Sequence, residues 1–215
     1  MTSFVKISLE QQIVQPWRNG RGQTRQIAIS PAGSDFNKGE FDWRVSTAQL
    51  TESGPFSSFS EFERHLVLLE GSELELSLKL TQARSFSLFP TLDVAVQFSG
   101  NLDVNAILRR GPVRDLNIFC RKDRCQARVQ ITRMVDHALK KSIKPSSPSW
   151  LLLAADDLIQ LHIKSERAES EWLLECGEAI LAENWDARAS GSVSGSVSGS
   201  GSCDSRIVLI EILPL

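Results

Sequence analysis

The sequence predicts an all-β protein, a sandwich or barrel built from many short strands. Apolar and polar residues alternate along short segments, which is the pattern of strands that face a core on one side. Turn residues separate these segments at close spacing, as in sandwiches and barrels. Helical patterns are confined to single turns near 57–66 and 136–141, and to 148–157, which fits a strand or a short helix equally well.

The strand pattern recurs along the whole chain. It is clearest in 72–80, where every second residue from Leu74 onward is leucine. In 41–50, Trp43 and Arg44 must point to opposite faces because side chains alternate along a strand. The remaining strand-like segments are 24–30, 64–71, 95–100, 116–120, 127–134, 158–164, 179–185 and 206–215.

Composition and charge argue against two classes of partner. The chain has 215 residues, 41% of them hydrophobic, which is enough to build a substantial core. Its net charge is −2 and it has no long run of lysine or arginine, so we expect no nucleic-acid partner. No segment approaches the roughly 20 apolar residues of a membrane helix, and the N-terminus lacks the apolar core of a signal peptide. We therefore expect no membrane partner and a cytoplasmic location.

One segment, residues 190–202, is composed of glycine and serine with two valines. Such a composition buries little apolar surface and predicts a flexible loop. The strand-like segment 206–215 follows it, so we interpret 190–202 as a long hairpin loop and not as a linker between domains. The fold should tolerate this loop, because the entropy cost of closing a loop grows slowly with its length.

The sequence does not indicate a metal or nucleotide site. His65, His137 and His162 are isolated, without the paired histidines of a metal-binding barrel, so we expect no metal and no cofactor. The glycines of the sequence NGRGQT precede an alternating segment and not a helix, which argues against a phosphate loop. We expect Gly20 and Gly22 to supply positive φ angles in a tight turn. The four cysteines form no C-x-x-C pair and are expected to be free thiols.

Four arginines are the residues that most strongly indicate a binding function. Arg25, Arg44, Arg64 and Arg114 lie in or beside predicted strands, close to tryptophan, asparagine, aspartate and glycine turns. An arginine within a strand is costly unless it faces water or an anion, and each one alone is explained by an exposed sheet face. The four together favour a shared anion pocket, because guanidinium groups pair with carboxylates through two parallel hydrogen bonds.

Four motifs, in order, resemble the HutD/Ves family. They are PWRNGRGQTRQI from residue 16, FDWRVSTAQLTESGPFSSF from residue 41, RHLVLLEG from residue 64 and GPVRDLN from residue 111. The match extends over residues 16–117, and further along the chain only the pattern of strands is similar.

The resemblance implies both a fold and a role. It implies a cupin-like fold of the RmlC jelly-roll type with two β-barrels, a bicupin. The N-terminal barrel would cover about 1–120 and the C-terminal barrel about 121–215, with strands shared between them. It also implies that the protein binds a small carboxylate of histidine degradation, of the formylglutamate or urocanate type, and limits flux without catalysing a step. We allow for a homodimer.

The motifs and the arginine pattern together define the predicted site. The predicted ligand-binding residues are Trp17, Asn19, Thr24, Arg25, Arg44, Ser46, Arg64, Arg114, Asp115 and Asn117. We expect Asn19 and the arginines at 44, 64 and 114 to meet in space, with the Arg64 charge above an apolar floor. The family more often has glutamate where this chain has Gln26, which removes a possible carboxylate partner for Arg25.

Two alternatives to a binding protein stay open. A metal-independent cupin enzyme, an isomerase or hydrolase acting on a small anionic substrate, would need Asp115 or His65 as its acid or base. A protein that only presents an interaction surface would use 190–202 as a docking loop. We favour a binding protein over an enzyme because no residue stands out as a base.

Overall fold

The computed structural model describes residues 2–17, 22–79, 84–134, 138–139, 143–164, 169–185, 192–197 and 205–215. Within these ranges the chain is all-β, as predicted, with one short helix, the 3-10 turn Phe36–Lys38. No helix in these ranges has the length and apolar character needed to cross a membrane. The single helical turns expected near 57–66 and 136–141 are not seen: 62–66 lies in a strand, and most of 136–141 lies outside the described residues.

The strands are numbered in chain order. They are β1 (Ser3–Ile7), β2 (Ile13–Pro16), β3 (Gly22–Ser30), β4 (Trp43–Leu50), β5 (Gly54–Pro55), β6 (Phe62–Glu70), β7 (Leu74–Lys79), β8 (Arg84–Leu88), β9 (Ala95–Ser99), β10 (Asp103–Leu108), β11 (Val113–Arg121), β12 (Cys125–Arg133), β13 (Ser149–Ala154), β14 (Ile159–Lys164), β15 (Glu169–Leu174), β16 (Ala179–Glu183), β17 (Ser192–Val197) and β18 (Arg206–Pro214).

The chain divides into two compact units. The N-terminal unit comprises Gln12–Gln126 with Pro214–Leu215, and the C-terminal unit comprises Met1–Gln11 with Ala127–Leu213. The first eleven residues therefore belong with the second half of the chain, and not with a barrel over 1–120. The reason is that β1 pairs with β16 along its whole length, so that its main-chain hydrogen bonds are made within the C-terminal unit.

The N-terminal unit consists of two sheets that share one core. A six-stranded sheet has the order β2-β3-β4-β11-β6-β9, and a four-stranded sheet has the order β5-β10-β7-β8. The alternating leucines of β7, predicted from the sequence to share a face, are buried at Leu74, Leu76 and Leu78. They pack against Leu66 and Leu68 of β6, which belongs to the facing six-stranded sheet.

The C-terminal unit is built in the same way. A five-stranded sheet has the order β1-β16-β13-β18-β12, and a three-stranded sheet has the order β15-β14-β17. Its core includes Trp150 and Leu152 of β13 and Ile159 and Leu161 of β14, which are all fully buried. The ambiguous segment 148–157 is thus a central strand. In both units the described strands form two separate sheets, so the predicted barrels are not closed.

Part of the predicted Gly/Ser loop is a strand. Residues 192–197 form β17, which pairs with β14 from Val193 opposite Ile163 to Val197 opposite Ile159. The Val193 side chain is fully buried in the core of the C-terminal unit, and its main chain exchanges two hydrogen bonds of 2.8 Å with Ile143. The valine that interrupts the glycine and serine supplies the apolar contact. The rest of 190–202 lies outside the described residues.

The burial of Val193 can be tested directly. We expect Val193→Ser to lower the free energy of unfolding by about 1–3 kcal/mol, because it removes a core side chain and buries a hydroxyl. The neighbouring exposed Ser194 provides the control: Ser194→Ala should change stability by less than about 0.5 kcal/mol. Chemical denaturation of the three proteins measures both values. Equal stability of the Val193 variant and the wild type would show that this segment is a loop that does not pack against the core.

Candidate functional site

The N-terminal unit contains a cavity of about 680 Å³ between its strands. That volume suits a small molecule. Seven predicted ligand-binding residues line it: Trp17, Thr24, Arg44, Ser46, Arg64, Asp115 and Asn117. Aromatic side chains that the sequence analysis did not assign to the site complete the wall: Phe36, Phe56, Phe59 and Phe119. The cavity therefore combines two buried cations, one carboxyl group and apolar surfaces.

Three adjacent strands position the charged side chains. Phe119 of β11 pairs with Arg44 of β4 on one side and with Arg64 of β6 on the other. Neighbouring strands lie about 4.8 Å apart, so the two arginine Cα atoms are separated by about 10 Å. Both side chains reach the same cavity, because residues directly opposite one another in a sheet point to the same face.

Arg44 is held by one hydrogen bond and one aromatic ring. Its Nε donates to Gln26 Oε1 at 2.8 Å, and its guanidinium carbon lies 4.0 Å from the centre of the Phe36 ring. Phe36 is placed there by the short 3-10 helix, which Asp35 caps by accepting a hydrogen bond from the main chain of Asn37. Arg44 is only 3% exposed, and burial lowers the pKa of its guanidinium to about 10.

Arg64 lies inside an aromatic cage. Its guanidinium carbon is 4.6 to 5.1 Å from the ring centres of Phe119, Phe56 and Phe98, distances at which cation–π attraction is significant. Its hydrogen bonds are long: Nε donates to Asn117 Oδ1 and Nη1 donates to the Ser57 carbonyl, both at 3.4 Å. Burial lowers the pKa of Arg64 to about 10, and the nearby carboxyl group of the cavity partly opposes this effect.

Within the described part of the chain, neither buried arginine forms an ion pair. Among the described residues, no carboxylate lies within 4.0 Å of the guanidinium nitrogens of Arg44 or Arg64. A buried charge without a partner is strongly unfavourable, so buried arginines are normally paired. Of the hydrogen bonds that five N–H groups can donate, Arg44 makes one and Arg64 makes two long ones, so both can still donate into the cavity.

Asp115 lies on the same face of β11 as Phe119, four residues earlier in the strand. It is 1% exposed, and its Oδ1 atom has no hydrogen-bond partner among the described residues. Burial raises the pKa of Asp115 to about 7, although the Arg64 charge and a main-chain hydrogen bond from Ala48 oppose the shift. Its protonation state therefore changes near neutral pH.

Trp17 and Thr24 form one wall through a direct contact. Trp17 Nε1 donates a hydrogen bond of 2.8 Å to Thr24 Oγ1. Gly22 makes room for the ring: a Cβ atom on this residue would lie 2.3 Å from the Gln49 carbonyl oxygen and 3.1 Å from the Trp17 ring. Gly22 is thus required for close approach, and the positive φ predicted for it is not observed. Gly20 lies outside the described residues.

Two of the predicted site residues that the structure describes do not line the cavity. Arg25 follows Thr24 in β3, and Arg114 precedes Asp115 in β11, so alternation turns both away from the cavity. Arg114 instead forms an ion pair with Glu70. Asn19 lies outside the described residues. The expectation that the arginines at 44, 64 and 114 meet is therefore wrong for Arg114, and it holds for the other two.

The other candidate chemistry also lies away from the cavity. His65 points to the opposite face of β6 from Arg64 and is not among the residues that line the cavity. Burial lowers the pKa of this imidazole. Among the described residues there is no cluster of three or more His, Cys, Asp or Glu side chains that could hold a metal ion. Cys120, Cys125 and Cys176 are free thiols, as predicted, and Cys203 lies outside the described residues.

Comparison with known proteins identifies the family. The HutD family model matches residues 10–197 of the chain. The chain belongs to the HutD family. A relative from Pseudomonas putida, an uncharacterised 21.2 kDa protein in the hutC 3′ region, is 30% identical over 75% of this chain and 78% of its own length. Protein Ves of Citrobacter koseri is 37% identical over 119 residues, and this match covers only 58% of the Ves protein.

Solved structures show the same fold over the whole chain. A conserved protein of unknown function from Pseudomonas aeruginosa PAO1 matches with a TM-score of 0.80 and 25% identity, covering 99% of this chain and 100% of that one. HutD from Pseudomonas fluorescens SBW25 matches with a TM-score of 0.72 and 24% identity over the same fractions. Hazelnut vicilin shares the fold at 9% identity, with a TM-score of 0.66, over 96% of this chain and 85% of its own. The fold of this HutD-family protein is cupin-like.

The raised pKa of Asp115 gives the HutD-family chain a testable stability profile. The folded state holds a proton on Asp115 up to about pH 7, whereas the unfolded chain releases it near pH 4. This group therefore lowers stability progressively as pH rises from 4 to 7, and the loss is complete above pH 7. We expect Asp115→Asn to raise the free energy of unfolding by about 2–4 kcal/mol at pH 8 and to change it little at pH 4. Denaturation at both values measures this, and equal effects at the two would contradict the shift.

Proposed function

We propose that this protein binds a small carboxylate metabolite of histidine degradation, of the formylglutamate or urocanate type, and acts in regulation or flux limitation. The observation that carries the proposal is the burial of Arg44 and Arg64 in one cavity with no carboxylate within 4.0 Å of either guanidinium among the described residues. A bound carboxylate would supply the missing negative charge. The proposal thus accounts for an arrangement that is otherwise costly for folding.

The spacing of the two arginines supports a ligand between them. Their Cα atoms lie about 10 Å apart across Phe119, and extended arginine side chains can converge on one group over that distance. Phe119, Phe36 and Phe56 hold the guanidinium groups by their faces. These contacts leave the N–H edges free to donate paired hydrogen bonds to a carboxylate.

Gln26 also supports an anion site. The sequence comparison with the HutD/Ves pattern assigned the missing glutamate at this position to Arg25, but the structure places the Gln26 side chain on Arg44. An amide oxygen accepts the Arg44 hydrogen bond without neutralising the charge. In this chain the positive charge of Arg44 is therefore kept for a ligand.

The relatives are consistent with this chemistry. The structure of HutD from Pseudomonas fluorescens SBW25 is of a formate condition, and formate is the smallest carboxylate. The name of the Pseudomonas putida relative places it beside hutC, and that connection to a hut region supports the histidine-degradation part of the proposal.

Calorimetry with four carboxylates tests the proposal. We expect wild-type protein to bind at least one of formate, N-formylglutamate, urocanate and glutamate. Arg64→Gln should weaken that binding at least thirtyfold, about 2 kcal/mol, because it removes a buried charged contact. The matched control is Arg114→Gln: Arg114 is on the neighbouring strand but lies outside the cavity, so its loss should leave the affinity within about twofold.

A second variant tests the charge argument from the opposite direction. Gln26→Glu would place a carboxylate on Arg44 and should weaken anion binding without removing any arginine. Thermal melts of all variants establish that each is folded. Wild-type protein that is folded and gives no heat with any of the four carboxylates would reject the histidine-pathway proposal.

An enzyme remains the second candidate because of one observation. Asp115 lines the cavity with a pKa of about 7, which is the range suited to a general acid or base. The other residue considered for this role, His65, lies outside the cavity. We expect no turnover when the same four carboxylates are incubated with the protein. A product that forms at an enzyme-like rate and is lost in Asp115→Asn would favour a metal-independent isomerase or hydrolase.

A further inference from the structure

Asp115 is an acidic residue in a cavity whose two arginines attract anions. It is 1% exposed, lines the same cavity as Arg44 and Arg64, and has an oxygen without a hydrogen-bond partner among the described residues. An ionised carboxylate at this point would repel any anionic ligand held by the arginines. The site is therefore internally consistent only if the Asp115 carboxyl group loses its charge when an anion enters.

The surroundings of Asp115 contain few other charges. Among the described residues that line the cavity, Arg44 of β4 and Arg64 of β6 are the only other charged side chains. The polar lining residues from β3, β4 and β11 are Thr24, Ser46 and Asn117, which do not titrate. The core residues that the facing strands β7, β8 and β10 contribute are apolar: Leu74, Leu76, Leu78, Leu88, Val104 and Ala106.

We propose that Asp115 is a neutral acid in the complex and donates a hydrogen bond to the bound anion, so that well above pH 7 one proton is taken up with each anion. This inference rests on the proposed function, since it requires an anion between the arginines. The proton comes from solvent and neutralises the carboxylate without any covalent change. The Asp115 Oδ1 atom thereby gains a hydrogen-bond partner. The complex then contains two arginine cations and one bound anion.

The proton linkage has a definite sign. The pKa of Asp115 is about 7 in the free protein, so the acid form is already present below pH 6 and binding there needs no proton. Above pH 7 the free protein carries the carboxylate, and each further pH unit makes the required proton tenfold scarcer. Affinity is therefore highest at acidic pH and is lost as pH rises through 7.

The experiment measures N-formylglutamate and formate binding by calorimetry from pH 6 to pH 9. These anions stay ionised throughout, so any pH dependence belongs to the protein. We expect the dissociation constant to be nearly constant near pH 6 and to rise about tenfold per pH unit above pH 7.5. At pH 7.2 the observed heat should differ between Bis-Tris and Tris buffers by the amount expected for uptake of about half a proton per anion.

Two variants assign the effect to Asp115. Asp115→Asn should bind with a dissociation constant independent of pH and with no proton uptake, because its amide is always neutral and can donate. His65→Gln, which changes a titratable group on the opposite face of β6, should keep the wild-type pH profile. Both variants are checked for folding by thermal melts.

The outcomes separate the inference from the proposed function. Wild-type protein that binds neither anion overturns both. Binding that is independent of pH, with equal heats in the two buffers, overturns the role of Asp115 and leaves the anion site intact. A wild-type profile in Asp115→Asn, or a flat profile in His65→Gln, assigns the proton elsewhere and also overturns the inference.

Discussion

The burial of Arg44 and Arg64 on either side of Phe119 is the constraint on which the rest of the site depends. Two like charges in a cavity with a low dielectric constant repel each other and lose their hydration. Much of the local structure serves to offset that cost. A 3-10 helix brings Phe36 over Arg44, and the rings of Phe56 and Phe119 lie against Arg64. The offset is incomplete, because aromatic faces attract cations less strongly than a carboxylate does.

The two-residue period of a β-strand decides which motif residues reach this cavity. The sequence motifs place Thr24 beside Arg25 and Arg114 beside Asp115, and a motif by itself does not say which of the two neighbours points inward. Once Asp115 lines the cavity, Arg114 must turn outward, where it meets Glu70. The alternation argument was applied correctly to Arg44 and its tryptophan neighbour. Applied equally to β3 and β11, it would have shown that Thr24 and Arg25 cannot both face the cavity, and that Arg114 and Asp115 cannot either.

Ten of the eighteen strands in the described residues were predicted from the sequence, and the segment of β13 was left ambiguous. All ten strand-like segments of the sequence contain strands, because alternation and short apolar runs both indicate burial of a strand in a sheet. The strands β1, β2, β5, β8, β10 and β15 were not predicted. The strands β2 and β5 have no buried residue, and β1 and β15 each bury only their last residue, so these four give little alternation signal. The segment of β17 was interpreted as a loop because glycine and serine surround the buried Val193. The aromatic wall was missed for a different reason: Phe36 and Phe59 lie in connecting segments, where no period applies.

The cavity contains both arginines and an acidic side chain, yet Asp115 does not form a salt bridge with Arg64. An Asp115 carboxylate in direct contact with Arg64 would stabilise the empty protein and compete with any ligand. In the structure the Asp115 carboxyl group is buried and its pKa is raised. It is close enough to Arg64 for each group to affect the pKa of the other, but the two do not form an ion pair. Gln26 likewise leaves the charge of Arg44 unneutralised, because it accepts a hydrogen bond from Arg44 and carries no charge itself. In both cases the negative charge that would best stabilise the fold is withheld within the described residues, and an anion from solvent is the natural source of it.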